Sequence, residues 1–225
     1  MERCECRREH RQQALLGNAR IPERFRRAGF DNFVVPDKDD RLAGAKVTAK
    51  SYARDYPSLR KLGIMFQGST GVGKTHLACA VLRELAERGF ECLFFDYQAL
   101  LERIRQGYDA SAGPGAKREY RRALEAEVVL LDDLGSHRPS EWVEDTVTTI
   151  INHRYNAGKA LIVTTNLPEP DLGDQSVRKD PGSGQYHVRD TLADRIGSRA
   201  RSRVYEMCHV VKMAARDYRL RKPRR

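Results

Sequence analysis

The sequence predicts an α/β domain in which a parallel sheet is flanked by helices on both faces, preceded by a short N-terminal extension. Three observations predict it. The runs Leu62–Phe66, Val128–Leu131 and Ala160–Thr164 are of strand length and continuously apolar rather than alternating, as in strands buried on both faces. Helical patterns stand between them, and strands that alternate with helices form parallel sheets. The first run also leads straight into Gly68-Ser-Thr-Gly-Val-Gly-Lys-Thr75, which fits G-x-x-x-x-G-K-[ST] at each fixed position and opens a helix.

Residues 1–45 are Arg-rich and carry no sustained periodicity, with Ile21-Pro22 and Val35-Pro36 interrupting any long helix. They are assigned to the extension, and 46–225 to the α/β domain. A helix from Lys46 to Asp55 stops before Pro57. Leu62–Gln67 reads as a strand and Lys74–Arg88 as a helix, with Leu77, Ala78, Val81, Leu82 and Leu85 on one face and Gly89 as its stop. Glu91–Asp96 is a second strand and Gln98–Arg105 a second helix. Gly107–Ala116 is a loop by composition, rich in Gly and small residues around Pro114. After the Val128–Leu131 strand, Glu141–Tyr155 is amphipathic, with Trp142, Val143, Thr146, Val147, Ile150 and Ile151 on its inner stripe. The Ala160–Thr164 strand precedes a long polar loop, Leu172–Tyr186. A short helix at Leu192–Ala200 and a strand at Val204–Lys212 complete the pattern.

A chain of 225 residues can bury a proper core in one such domain. Lys and Arg number 41 against 31 Asp and Glu, a net charge of +10. The excess is concentrated. Between Arg199 and Arg225 there are ten basic residues and two acids, Glu206 and Asp217, which suits a polyanionic partner such as nucleic acid. With no apolar run of membrane-spanning length and no signal-peptide core, the expected location is the cytoplasm, with no membrane partner. The five cysteines are an odd number, which argues against a disulfide framework. Cys79, Cys92 and Cys208 read as small core residues. Cys4 and Cys6, with His10 following, offer at most three metal ligands where structural zinc takes four, so zinc is not expected there.

The chemistry is legible in four ordered elements. Glycines let the phosphate loop (Gly68, Ser69, Thr70, Gly71, Val72, Gly73) wrap an anion with its backbone N–H groups, at the positive end of the following helix. Lys74 can then reach the β- and γ-phosphates of a nucleoside triphosphate, and the Thr75 hydroxyl can ligate Mg²⁺. The second element, Val128-Val-Leu-Leu-Asp132-Asp133, ends a buried strand in two carboxylates. Asp132 is expected to hold the Mg²⁺ shell and Asp133 to orient the attacking water. In the third, Leu161-Ile-Val-Thr-Thr-Asn166, an Asn at a strand tip can bond the γ-phosphate or that water. The fourth is a supply of arginines, Arg195 and Arg199 in Arg-Ile-Gly-Ser-Arg and Arg216 and Arg219 in Arg-Asp-Tyr-Arg. Any one of these guanidiniums could stabilise the charge that develops on a transferring phosphate, and the residues alone do not choose among them.

This ordered set resembles the AAA+ ATPases, specifically the group of DnaC/DnaI helicase loaders and IstB transposition helpers, over a span from about Ile21 to Arg219. Ile21-Pro-Glu-Arg-Phe25 and Phe30-Asp-Asn-Phe33 look like segments that precede the ATPase domain in that group, and Asp-Asp-Leu-Gly after the second element is typical of the loaders. The resemblance implies an AAA+ P-loop NTPase that binds ATP and Mg²⁺ and hydrolyses ATP. It implies that Asn166 is sensor 1, that Arg199 is an arginine finger reaching a neighbour's ATP, with Arg195 as runner-up, and that Arg219 is the sensor 2 arginine. Cys4-x-Cys6 looks like the end of a loader-type helicase-binding module, which makes residues 1–45 its remnant and places the chain closest to a DnaC-type loader. The partners so implied are a replicative helicase, single-stranded DNA and further copies of the chain, joined through the ATP site. Phe94, Phe95 and Tyr97 lie near a strand end; the phenylalanines read as core, and Tyr97 is a candidate platform for base stacking. An IstB-like ATPase assisting a transposase, and a nucleotide-gated DNA adaptor with little turnover, are the alternatives. Asp133 where other AAA+ proteins carry Glu motivates the adaptor.

Overall fold

Four strands that are buried along nearly their whole length can be stable only with both faces covered, and the fold meets that demand. The computed structural model describes residues 5–36, 39–106, 115–170, 177–179, 186–188, 190–215 and 217–218. Strands β1 (Gly63–Gly68), β2 (Cys92–Asp96), β3 (Val128–Asp132), β4 (Ala160–Thr165) and β7 (Cys208–Met213) form one sheet in the order β2-β3-β4-β1-β7. Every pairing in it is parallel. Strands β5 (Val177–Lys179) and β6 (Tyr186–Val188) form a separate antiparallel pair; β5 lies inside the segment expected to be a loop and β6 starts at its last residue.

Alternate strand residues feed two cores. Ile64, Phe66, Val128 and Leu130 face one side, where α2 (Asp40–Asp55) and α3 (Lys74–Glu87) pack. Met65, Val129, Leu131, Leu161 and Val163 face the other, covered by α4 (Tyr97–Gln106), α5 (Gly115–Glu125), α6 (Glu141–Asn156), α7 (Leu192–Ile196) and α8 (Ser198–Met207). Each fully buried Leu, Ile or Phe contributes about 1.5–3 kcal/mol relative to an exposed position. Cys79, Cys92 and Cys208 are all buried, as expected, and burial pushes the Cys208 thiol up to about 12. Among the described residues no helix is long and apolar enough to cross a membrane.

The N-terminal region differs from expectation. Residues Glu5–Asn18 form helix α1, and α2 starts at Asp40, capped by the Asp39 side chain, so the division expected at residue 45 falls inside a helix. Ala19, Ile21, Ala28, Phe30 and Phe33 belong to the same core as α3. The Phe94 N–H of edge strand β2 donates to the Ala19 carbonyl (2.8 Å), and Arg83 of α3 donates to Ala28 O (2.9 Å). The segment thus covers one sheet edge and one helix. Cys4 lies outside the described residues, and Cys6 falls in α1.

Three further differences have local causes. Helix α5 begins at Gly115, within the stretch whose small residues suggested a loop. The helix expected at 192–200 is two, α7 and α8, hinged at Gly197, and α8 runs on to Met207 because Ala200 and Val204 repeat at helical spacing into the core. The last strand therefore starts at Cys208 rather than Val204. Tyr97 is 1% exposed and packs with Leu93 and Leu131, which removes it as a stacking platform; Phe94 and Phe95 are likewise buried.

One interior cation organises the end of the sheet away from the phosphate loop. Arg154 of α6 is fully buried, and its two terminal nitrogens donate to the carbonyls of Ala123, Leu124, Ala126, Glu127 and Ala160. Burial pulls this guanidinium down to about 10. The bonds join the end of α5 and the entry to β3 to the first residue of β4.

Candidate nucleotide-binding site

In open parallel sheets ligands sit beyond the carboxyl ends of the strands, and there the structure gathers most of the residues singled out above. The loop from Gly68 to Gly73 leaves β1 and enters α3 through Gly73, whose φ of +97° only glycine adopts without strain. Gly71 also lies in the left-handed region, at +80°, and a Cβ there would come within 1.9 Å of Asp217 Oδ1. At Gly73 it would meet the Phe33 ring at 2.6 Å. No side chain caps the start of α3, so its first-turn N–H groups face the loop hollow. The Lys74 ammonium is held between the carbonyls of Gly68 and Ser69, each at 2.9 Å.

The two strand tips beside the loop are stitched together. Thr75 Oγ1 donates to Asp132 Oδ1 (2.9 Å), and Thr164 Oγ1 donates to the same oxygen (2.6 Å). The Asp133 N–H donates to Thr164 Oγ1 (2.8 Å), which fixes Asp133 at a left-handed φ of +59°. Next along, the Leu134 N–H donates to Thr164 O (2.8 Å) and Thr165 Oγ1 to Leu134 O (2.9 Å). Gln67 at the end of β1 donates to Leu167 O (2.9 Å), and Asn166 borders the same cavity as Gln67, Gly68 and Ser69. Burial raises the Asp132 carboxyl above its ordinary range against the hydroxyl bonds from Thr164 and Thr75, with Asp133 and Asp96 pushing it further up.

A triphosphate and a hard divalent cation fit these residues. The glycine cradle has room only for backbone, and the hydroxyl–carboxylate pair Thr75–Asp132 is an oxygen donor set of the kind Mg²⁺ takes alongside phosphates and water. Among the described residues no three His, Cys, Asp or Glu side chains cluster in a way that could hold a metal by themselves. Beside the loop a cavity of about 510 Å³ is lined by Phe25, Phe33, Val34 and Tyr218 together with Gly71–His76. His76 Nε2 lies 3.0 Å from the Gly29 carbonyl, and its ring meets Phe33 edge-on at 5.4 Å between centroids.

The arginines part company here. Arg195 is occupied within its own chain, ion-paired with Asp190 (2.6 Å) and donating to His137 O (3.1 Å). Arg199 is exposed on the first turn of α8 and does not join the network at the strand tips. Arg216 and Arg219 lie outside the described residues, but Asp217 and Tyr218 between them reach the phosphate loop, where the Tyr218 N–H donates to Gly71 O (3.0 Å). Sequence reasoning missed Thr164 as the group that orients both aspartates, and it missed Tyr218 at the cavity. The Phe25 and Phe33 walls lie in the two segments on which the resemblance was drawn.

Fold and site together define an AAA+ P-loop nucleotide-binding protein. The chain belongs to the IstB-like ATP binding protein family, whose pattern matches residues 1–225. The crystal structure of the DnaC helicase loader superposes with a TM-score of 0.69 at 28% identity, covering 86% of this chain and 100% of that one. The Bacillus subtilis (strain 168) protein YqaM is 28% identical over 182 residues, 77% of this chain and 56% of its own length. Rv3427c of Mycobacterium tuberculosis, described as a putative ATP-binding protein in an insertion sequence, is 30% identical over 153 residues, 66% of this chain and 59% of its own. The chain thus spans a little over half the length of these two relatives.

Proposed function

We propose that this chain is a cytoplasmic ATPase that loads a replicative helicase onto single-stranded DNA. The observation that carries the reading is its likeness to the DnaC helicase loader along the whole of that chain. In this reading Gly68–Thr75 bind the phosphates of ATP, and the cavity bounded by Phe25, Phe33 and Tyr218 takes the base. Lys74 turns from the loop carbonyls to the β- and γ-phosphates, and Thr75 and Asp132 hold Mg²⁺. Bound there, the ion neutralises phosphate charge. Asp133 orients the attacking water, and Asn166 bonds the γ-phosphate. Arg199 of a neighbouring copy stabilises the charge that develops in transfer, with Arg219 acting on its own chain's nucleotide. That Arg195 is already ion-paired at home supports Arg199 as the finger.

The DNA contact moves away from Tyr97. Arg103, Arg105, Arg118 and Arg121 are exposed on α4 and α5, beside a groove lined by Tyr120 and Trp142, and this pairing of cations with half-buried aromatics suits a single strand. Affinity for single-stranded DNA should then fall with a log–log salt slope of about −0.7 per phosphate neutralised. A flat titration of binding against salt removes the electrostatic part of the proposal.

A second reading, assistance to a transposase, is favoured by the family match over residues 1–225 and by the relative assigned to an insertion sequence. Phosphate release measured with single-stranded DNA and a hexameric helicase, against duplex DNA and a transposase, separates the two. Stimulation only by the second pair overturns the loader reading, and absence of turnover with either leaves a nucleotide-gated adaptor.

A further inference from the structure

Beyond the residues that would touch ATP, we infer that Glu169 and Arg201 form a positioning pair that sets where α8 presents Arg199, an inference that rests on the shared-site reading above. Glu169 lies on the bend that follows Asn166, between Pro168 and Pro170, and its side chain is 4% exposed. Arg201 reaches it from α8 with two parallel contacts, Nε to Oε2 at 2.9 Å and Nη2 to Oε1 at 2.7 Å. The guanidinium carbon stands 4.9 Å from the centre of the Tyr205 ring, one turn further along the same helix.

A buried ion pair is a weak source of stability, because removing two charges from water offsets most of their attraction. What a side-on fork does supply is direction: a planar guanidinium meets a carboxylate in one orientation, and sliding either partner breaks a bond. Here the fork joins two elements of different use. One is the β4 tip, already fixed to β1 by the Gln67 bond to Leu167 O. The other is a helix that starts just after Gly197, a hinge with φ of +81° where a Cβ would come within 2.2 Å of Glu144 Oε1 and which offers no side-chain cap. Ala200 and Val204 bury one face of α8, and its C-terminal end is held where the Tyr155 hydroxyl donates to Glu206 (2.6 Å) and Lys61 donates to Tyr205 O (2.8 Å), but these contacts alone leave the first turns, which carry Arg199, able to roll about the axis. Arg201 removes that freedom. Arg199 is two residues upstream on the same helix, so a roll of α8 displaces its guanidinium directly.

Helix α7 has a matching tether. Arg195 binds the carbonyl of His137, in the loop that continues from Asp133. Each of the two short helices is thus tied by an arginine to one of the strand tips: α7 to that of β3, α8 to that of β4. Glu169 itself would touch no nucleotide. Its role is to carry the geometry of the β4 tip to the edge offered to a neighbour.

The test uses mixed copies of the full chain. An Arg199→Ala acceptor keeps its own pocket intact and lacks only the finger it would give away. It is mixed with either of two donors unable to use ATP, Lys74→Ala or Lys74→Ala with Glu169→Gln, and phosphate release is measured. The Lys74→Ala donor is expected to restore turnover, and the double variant to restore at least about tenfold less, with both donors melting within a few degrees of each other. A merely structural role would not separate donors of equal stability. Equal rescue by both overturns the positioning role and leaves the shared site standing. Rescue by neither overturns the shared site and this inference with it. Should Glu169→Gln lower the melting temperature by more than a few degrees, Arg201→Gln, at the more exposed end of the pair, replaces it in the donor with the same expected outcomes.

Discussion

The β3–β4 tip and the first turn of α8 are built on opposite plans. At the tip the central polar groups are bonded within their own chain: Asp132 takes two hydroxyls, the Asp133 N–H is fixed through Thr164, and Lys74 is bridged to two carbonyls. On α8, Arg199 is exposed and makes no hydrogen bond or ion pair among the described residues. The contrast is one of preorganisation. Groups that must hold a fixed geometry are braced in advance by the sheet, and the group proposed to act on another copy is left without bonds that would have to be broken first.

The sharpest way to break this comparison is Arg199→Ala. Phosphate release by the pure variant should fall by about 10³-fold or more, and mixing with Lys74→Ala should recover part of it. Undiminished turnover by pure Arg199→Ala would mean that α8 contributes nothing across a boundary. Thr164→Val tests the other region. It leaves the Asp133 N–H without its acceptor and removes one hydroxyl from Asp132, a loss of about 1–3 kcal/mol in organising the tip. Turnover should drop by roughly tenfold to a hundredfold without recovery on mixing, since the defect lies inside one chain. If Thr164→Val is rescued by Lys74→Ala, the tip is not self-contained.

The smallest expected effect is on stability. Burial holds the Asp132 carboxyl above its ordinary range, so the folded protein binds this proton more readily than the unfolded chain does. Its contribution to stability is therefore unfavourable when ionised at neutral pH, and the penalty is relieved as pH falls towards the raised value. Asp132→Asn should raise the melting temperature of the nucleotide-free protein at pH 7 by about 2–4 °C, the shift expected for about 1 kcal/mol. The gap should narrow on acidification, while the affinity for Mg²⁺ with ATP is lost. A gap that widens at low pH would show that the buried charge is not what destabilises the tip.

What the sequence disclosed follows the same division. The phosphate loop, the Asp132–Asp133 strand and Asn166 were legible because each is a short local pattern at the end of an apolar run. Thr164 was not, since its importance comes from Asp132, Asp133 and Leu134, which only strand pairing brings beside it. Tyr97 looked like a surface aromatic at a strand end, but α4 begins at that residue and turns the ring into the core. Helix α5 was hidden by the glycines and alanines before it, and its apolar stripe is narrow, with Tyr120, Ala123 and Leu124 among many arginines. Tyr218 reaches Gly71 across most of the chain, a contact that no spacing rule encodes.

Arg154 bears on the whole of this arrangement, although it sits at the other end of the sheet. A lysine there has three protons on a single atom where the arginine spreads four over two, and a methionine has none, so either substitution weakens the anchoring of both strands. Strands β3 and β4 are short and stiff, and a slip at their roots arrives undiminished at Asp132 and Thr164. Damage far from any ligand would then read out as poor magnesium affinity, and an assay confined to the phosphate loop would misplace its origin.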